Sequence, residues 1–110
     1  MAEKPWTLDD AQDAVDQWIT QWEEGYWDPL CNLARLTEEV GELAREINQT
    51  HGEKPAAGPD KPARIADELG DILFVIITLA NSLDIDLEKA LRATLHKYGI
   101  RDRDRFTPRS

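Results

Sequence analysis

Thiols are almost missing from this chain: Cys31 is its single cysteine. A disulfide framework within the chain is excluded, a cysteine-based zinc site is not expected, and a reducing, cytoplasmic setting is favoured. Long apolar runs are missing as well. Met1 is followed by Ala2, Glu3 and Lys4 without the hydrophobic stretch of a signal peptide. The longest run, Ile72 to Ala80, is too short to cross a bilayer, so no membrane partner is expected. Basic residues are scarce: 13 Lys and Arg face 22 Asp and Glu, a net charge of −9 that would repel a nucleic-acid polymer. There is no alternating strand pattern, internal repeat or low-complexity stretch.

What is present fits one domain over residues 1–110, near the lower size at which a single core suffices. Its charge is uneven. Lys97 to Ser110 holds five basic residues and two acids, a balance of +3, which leaves −12 on the rest. An acidic body with a basic tail from about residue 99 can divide its work between a metal and a phosphorylated ligand.

Four helical segments are predicted, making the fold all-α. The first runs from an N-cap at Thr7 to Glu24, with Leu8, Ala11, Val15, Trp18 and Trp22 stepping by three or four; Gly25 ends it. Tyr26-Trp27-Asp28-Pro29 reads as a turn, with Pro29 in the first turn of the next helix. That second helix continues to Thr50 and is expected to bury Leu33, Leu36, Val40, Leu43 and Ile47, with Glu39, Glu42 and Glu46 on a separate stripe and Glu38 beside it. His51 to Lys61 is rich in Gly and Pro and reads as a loop. Pro62 opens a third helix to Ser82, apolar almost all round from Ile72 to Ala80, which one chain of this length can hardly cover; a second subunit is expected to do so. Asp84-Ile85-Asp86 caps a fourth helix, Leu87 to Tyr98, which Gly99 terminates.

The chemistry lies in two acidic clusters, Glu38-Glu39-Val40-Gly41-Glu42 and Glu68-Leu69-Gly70-Asp71. Each projects carboxylates from one helix face. Glu68 and Asp71 interrupt a segment that otherwise reads as core, where a bare charge is costly. Carboxylates from two facing helices make an oxygen-rich nest for Mg²⁺ or Mn²⁺. An ion network with Arg35, Arg45 or Arg64 is the structural alternative.

Glu38-Glu39-x-x-Glu42 followed by Glu68-x-x-Asp71 resembles the signature of the MazG-type all-α nucleoside triphosphate pyrophosphohydrolases. Gly25-Tyr26-Trp27, Pro29-Leu30, Ala34-Arg35-Leu36-Thr37, Gly41-Glu42-Leu43-Ala44-Arg45-Glu46, Gly52-Glu53-Lys54-Pro55, Ile72-Leu73-Phe74, Leu79-Ala80-Asn81-Ser82-Leu83 and Lys97-Tyr98…Arg101-Asp102…Asp104-Arg105-Phe106 resemble its short, single-domain bacterial branch. The likeness extends from about Leu8 to Thr107. It implies hydrolysis of an NTP or dNTP to the monophosphate and pyrophosphate, with Mg²⁺ as cofactor (Mn²⁺ an acceptable substitute). It also implies an antiparallel helix bundle completed as a homodimer or homotetramer. Glu39, Glu42, Glu68 and Asp71 match the family's metal-binding positions. Glu38 and Glu39 are the catalytic candidates, Glu38 to help a second metal or to orient and deprotonate the attacking water. Removal of non-standard nucleotides is a common role in the family. Narrower alternatives are a dUTP or dCTP hydrolase or a phosphoribosyl-ATP pyrophosphohydrolase on the same scaffold; a more remote one is a non-catalytic helical dimerisation module.

Cationic partners for the phosphates are expected from Lys97, Arg101 and Arg105, with Lys54 from the loop. Asp102 and Asp104 can pair with neighbouring arginines. Trp18 and Trp22 are expected in the core, whereas Trp27 and Tyr26 are candidates to stack on a nucleobase. Asn81 either hydrogen-bonds a base or sugar or satisfies a helix end. His51 and His96 are expected at the surface, and Cys31 as a small core residue.

Overall fold

The computed structural model describes residues 4–51 and 61–109, and their secondary structure is helical throughout. The elements are α1 (Leu8–Thr20), α2 (Pro29–His51), α3 (Lys61–Ser82) and α4 (Leu87–Arg101). No described helix is long and apolar enough to cross a membrane. Of the expected Gly- and Pro-rich loop, His51 ends α2 and Lys61 opens α3 instead, while residues 52–60, Lys54 included, lie outside the described residues.

The helix starts follow from capping. The Thr7 hydroxyl accepts from the Asp10 amide (3.1 Å) and the Asp10 carboxylate accepts from the Thr7 amide (3.0 Å), a reciprocal pair that also lowers the Asp10 carboxyl's pKa. At α2 the Asp28 carboxylate accepts from the Leu30 amide (2.8 Å), with Pro29 in the position where a missing N–H costs nothing. Asp86 caps α4 by accepting from the Lys89 amide (3.0 Å).

Two helix ends differ from the sequence expectation. α1 stops at Thr20, four residues before Glu24. There the Trp22 amide donates to the Ile19 carbonyl and the Gly25 amide to the Trp22 carbonyl, both at 3.2 Å, and these short-span bonds tighten the chain into turns. Gly25 then turns left-handed at φ 61°. α4 passes through Gly99 to Arg101. The Asp102 amide caps it on the Tyr98 and Ile100 carbonyls, and the Arg101 guanidinium lies over the Tyr98 ring at 4.3 Å. α3 ends in a Schellman-type closure with Asp84 left-handed (φ 59°) and the Ile85 amide on the Ala80 carbonyl (2.8 Å).

α3 is the central element: α2 packs along it, α1 packs on it, and α4 packs on α1. Arg35 of α2 meets Phe74 while Glu39 meets Glu68, so advancing along α2 retreats along α3; the pair is antiparallel. α1 is antiparallel to α3 too, with Gln12 bonded to Asn81 and Trp18 against Phe74. The buried apolar residues are few: Ile19, Val75, Ile77 and Ala80.

That core is smaller than the hydrophobic pattern suggested. Leu33, Val40 and Ile47 of α2, expected to be buried, are exposed, as are Trp18, Trp22 and Cys31, because α2 and α1 each touch α3 along only one flank. Leu36 and Leu43 are half-buried. On α3, Leu69, Leu73 and Ile76 form an exposed stripe at helical spacing. The chain exposes 9062 Å². A compact protein of its mass exposes about 6,200 Å². Its radius of gyration, 17.6 Å, likewise exceeds the ~13 Å of a compact domain of this length.

Candidate active site

Glu39 and Glu42 lie one turn apart on α2, and the antiparallel seam sets Glu68 of α3 opposite them. One carboxylate oxygen from each of the three lies within 4.8 Å of the others. Glu39 and Glu68 are half-buried and Glu42 is exposed. Glu68 Oε2 is shut off from solvent without a hydrogen-bond partner among the described residues. The Glu39 carboxylate beside it, then partial burial and Glu42, push the Glu68 carboxyl up to about 7. Three crowded carboxylates, one of them driven to keep a proton, are a donor set short of positive charge. A hard divalent cation satisfies it with the oxygen ligands such ions prefer.

The other acids named from the sequence stand apart from this group. Asp71, one turn further along α3, and Glu38 on α2 are both exposed and outside the three-carboxylate contact. The ion-network alternative finds no support: among the described residues no ion pair joins Arg35, Arg45 or Arg64 to these acids. Arg35 instead lies over the Phe74 ring, its guanidinium carbon 5.8 Å from the centroid.

Next to the carboxylates, toward the start of α2, is an apolar cavity of about 380 Å³, within the range of small-ligand sites. Trp18, Trp22 and Trp27 line it with Phe74, and Arg35 forms part of its wall. Trp18 meets Phe74 edge to face (5.7 Å, 87°) and Trp22 similarly (6.2 Å, 73°). Trp27, a stacking candidate, therefore belongs to this wall, and so do Trp18 and Trp22, which were assigned to the core. Tyr26 joins them, but its hydroxyl donates to Asp16 Oδ1 (2.6 Å); burial and then that bond push the phenol up to about 12. Asn32 and Thr78 are the buried polar residues of the wall.

Asn81 lies elsewhere. Its carboxamide is held by Gln12, accepting from Gln12 Nε2 and donating to the Gln12 carbonyl, both at 2.9 Å. It lines a second, acidic cavity between α1 and the start of α4, where carboxylate oxygens of Asp9, Asp86 and Glu88 also lie within 4.8 Å of one another. Asp86 foremost raises the Asp9 pKa. On α4, Lys97 and Arg101 both lie over the Tyr98 ring. Asp102 takes Arg101 at 2.8 Å and Arg105 at 3.6 Å, and so holds two guanidinium groups side by side. Asp104 is within 3.9 Å of Arg103.

Arg35 as a wall residue, Phe74, Asn32 and Thr78 were not singled out as ligand contacts from the sequence. Their register carries a signal: Arg35 precedes Glu39 by one turn and Phe74 follows Asp71 by one turn, so both extend the acidic face toward the cavity.

Comparison with known proteins gives the family. The profile of the MazG nucleotide pyrophosphohydrolase domain matches residues 28–106. The YpjD protein of Bacillus subtilis is 52% identical over 101 residues, covering 92% of this chain and 91% of its own length. The crystal structure of that species' YpjD superposes with a TM-score of 0.79 at 50% identity, covering 89% of this chain and 98% of that one. A Bacillus-conserved MazG protein, described as a nucleotide pyrophosphohydrolase, superposes with a TM-score of 0.77 at 48% identity, covering 93% and 99%. With residues 28–106 matched by the family profile and a relative 52% identical over 92% of its length, the chain belongs to the MazG nucleotide pyrophosphohydrolase family.

Proposed function

We propose that this protein is a metal-dependent nucleoside triphosphate pyrophosphohydrolase that converts an NTP or dNTP to the monophosphate and pyrophosphate in the cytoplasm, clearing non-standard or excess nucleotides. The observation that carries the reading is the juxtaposition along one helix seam of an aromatic cavity, the Arg35 guanidinium and the Glu39, Glu42 and Glu68 carboxylates. The seven helical steps from Asn32 at the cavity to Glu39 at the acids span about 10 Å of helix. A base in the cavity would thus direct its phosphates toward the carboxylates.

Glu39, Glu42 and Glu68, with Asp71 one turn on, would hold Mg²⁺, for which Mn²⁺ could stand in. A bound divalent ion supplies charge neutralisation at the phosphates and Lewis-acid polarisation of the reacting phosphorus centre. The chain supplies the rest. Its aromatic wall stacks the base and excludes water there. Arg35 offers paired N–H donors to phosphate oxygens. Glu38, exposed beside the cluster, accepts the proton of the water that attacks the α-phosphorus in line. Lys97, Arg101 and Arg105, the two arginines preset by Asp102, meet charge on the departing pyrophosphate, with Lys54 as a further cation. The exposed α3 stripe and the excess surface support a homodimer or homotetramer in which a second copy covers Leu69, Leu73 and Ile76.

The test is pyrophosphate release from a panel of standard, deoxy, uracil-containing and oxidised triphosphates and from phosphoribosyl-ATP, with Mg²⁺ and with EDTA. Metal-dependent release is expected, and the order of rates names the substrate. Glu39→Gln is expected to lower kcat/KM by about a hundredfold or more. Normal turnover by that variant at saturating Mg²⁺ would refute the assignment.

A further inference from the structure

Asn32 sits in the first turn of α2 with only 2% of its surface exposed, yet its Nδ2 has no hydrogen-bond partner among the described residues. A buried N–H₂ without a partner is costly, and native proteins keep few of them. Asn32 lines the aromatic cavity. The two hydroxyls of the wall are committed: that of Thr78 donates to the Phe74 carbonyl at 2.8 Å and that of Tyr26 to Asp16. The cavity therefore combines aromatic faces for a flat ring with a buried donor for that ring's edge.

We propose that Asn32 reads the nucleobase, its Nδ2 donating to an exocyclic oxo group of the base held in the aromatic cavity. The assignment rests on the nucleotide reading above and adds a substrate class to it. A donor facing a C=O makes a hydrogen bond out of solvent, whereas a donor facing an exocyclic amino group leaves two N–H groups opposed. Uracil, thymine, guanine, cytosine and hypoxanthine carry an oxo group; adenine does not. Oxo-bearing bases are accepted and adenine is disfavoured. Discrimination of this kind is strong when a site's buried polar group would otherwise go unpaired.

The experiment compares dITP with dATP, which present a 6-oxo and a 6-amino group on otherwise closely similar purines. The full chain is assayed with Mg²⁺ for pyrophosphate release, and free proteins are melted alongside. Wild type is expected to prefer dITP in kcat/KM by about tenfold or more, the size of one well-made hydrogen bond. Asn32→Leu, close in shape but without the donor, is expected to bring that ratio near one, chiefly by raising KM for dITP, while melting no lower than wild type. Asn32→Ala replaces it should the leucine variant not fold, and the wild-type ratio needs no variant. Equal turnover of dITP and dATP by wild type would overturn the role of Asn32 while leaving the pyrophosphohydrolase intact. So would a variant that keeps the ratio but melts lower and slows both substrates alike, since that marks a purely structural asparagine. Failure of every nucleotide to bind or react would overturn the nucleotide reading and this assignment together.

Discussion

The proton held by the acidic cluster makes metal binding and stability respond to pH in opposite directions. In the unfolded chain Glu68 has an ordinary carboxyl pKa near 4.5; in the fold its neighbours push it up to about 7. Below about 4.5 the group is protonated in both states. Between 4.5 and 7 the folded protein keeps a proton that the unfolded chain has released. The stabilising contribution of Glu68 is therefore fully present below about 4.5 and is lost as pH rises through about 7. Because Glu39 and Glu42 share this site, the titration belongs to the cluster. A cation must displace that proton, so apparent Mg²⁺ affinity should fall about tenfold per pH unit below 7 and level off above it. The assay is thermal melting from pH 5 to 8.5 with and without Mg²⁺, with calorimetric titration of the metal. The Mg²⁺-induced gain in Tm is expected to grow with pH up to about 7 and then flatten. Glu68→Gln should abolish both the metal-free slope and most of the Mg²⁺ gain. An Mg²⁺ affinity that is constant between pH 6 and 8, or a Glu68→Gln variant with the wild-type profile, would refute the argument.

Two further outcomes follow from the packing and the backbone. Leu73→Glu places a charge in the exposed apolar stripe of α3 and should shift the protein to a monomer in light scattering; a wild type that is already monomeric would remove the role given to that stripe. Gly25 holds φ 61° with nothing within 4 Å of an added Cβ. Gly25→Ala should therefore cost backbone strain alone, about 1 kcal/mol, and lower Tm by about 4 °C or more; an unchanged Tm would contradict the left-handed turn.

The local features that depend on neighbouring residues were legible in order. Thr7, Pro29 and Asp86 mark three helix starts because a cap is satisfied within a few residues. The i, i+3 spacing of Glu39 and Glu42 marked an acidic face for the same reason, while the packing of α2 on α3 sets Glu68 opposite them and leaves Asp71 outside the group. Helix ends were read less well: Gly99 lies inside α4 because an aromatic–guanidinium contact and the Asp102 cap outweigh glycine's weak helix preference.

The burial of the apolar stripes could not be read from one chain. Periodicity states that Leu33, Val40, Leu69 and Leu73 share faces that avoid water, but it does not say whether this chain or another copy covers them. The sequence by itself determined four helices and the acidic faces of α2 and α3, which follow from spacing along a helix, and the basic tail, which follows from composition. Only the tertiary structure decided that Trp18 and Trp22 wall a cavity, that Arg35 looks onto Phe74, that Asn81 is spent on Gln12 and that the Asn32 side-chain Nδ2 has no partner among the described residues. Those outcomes depend on the relative rotation and height of α1, α2 and α3, which are set by packing between residues distant in the chain.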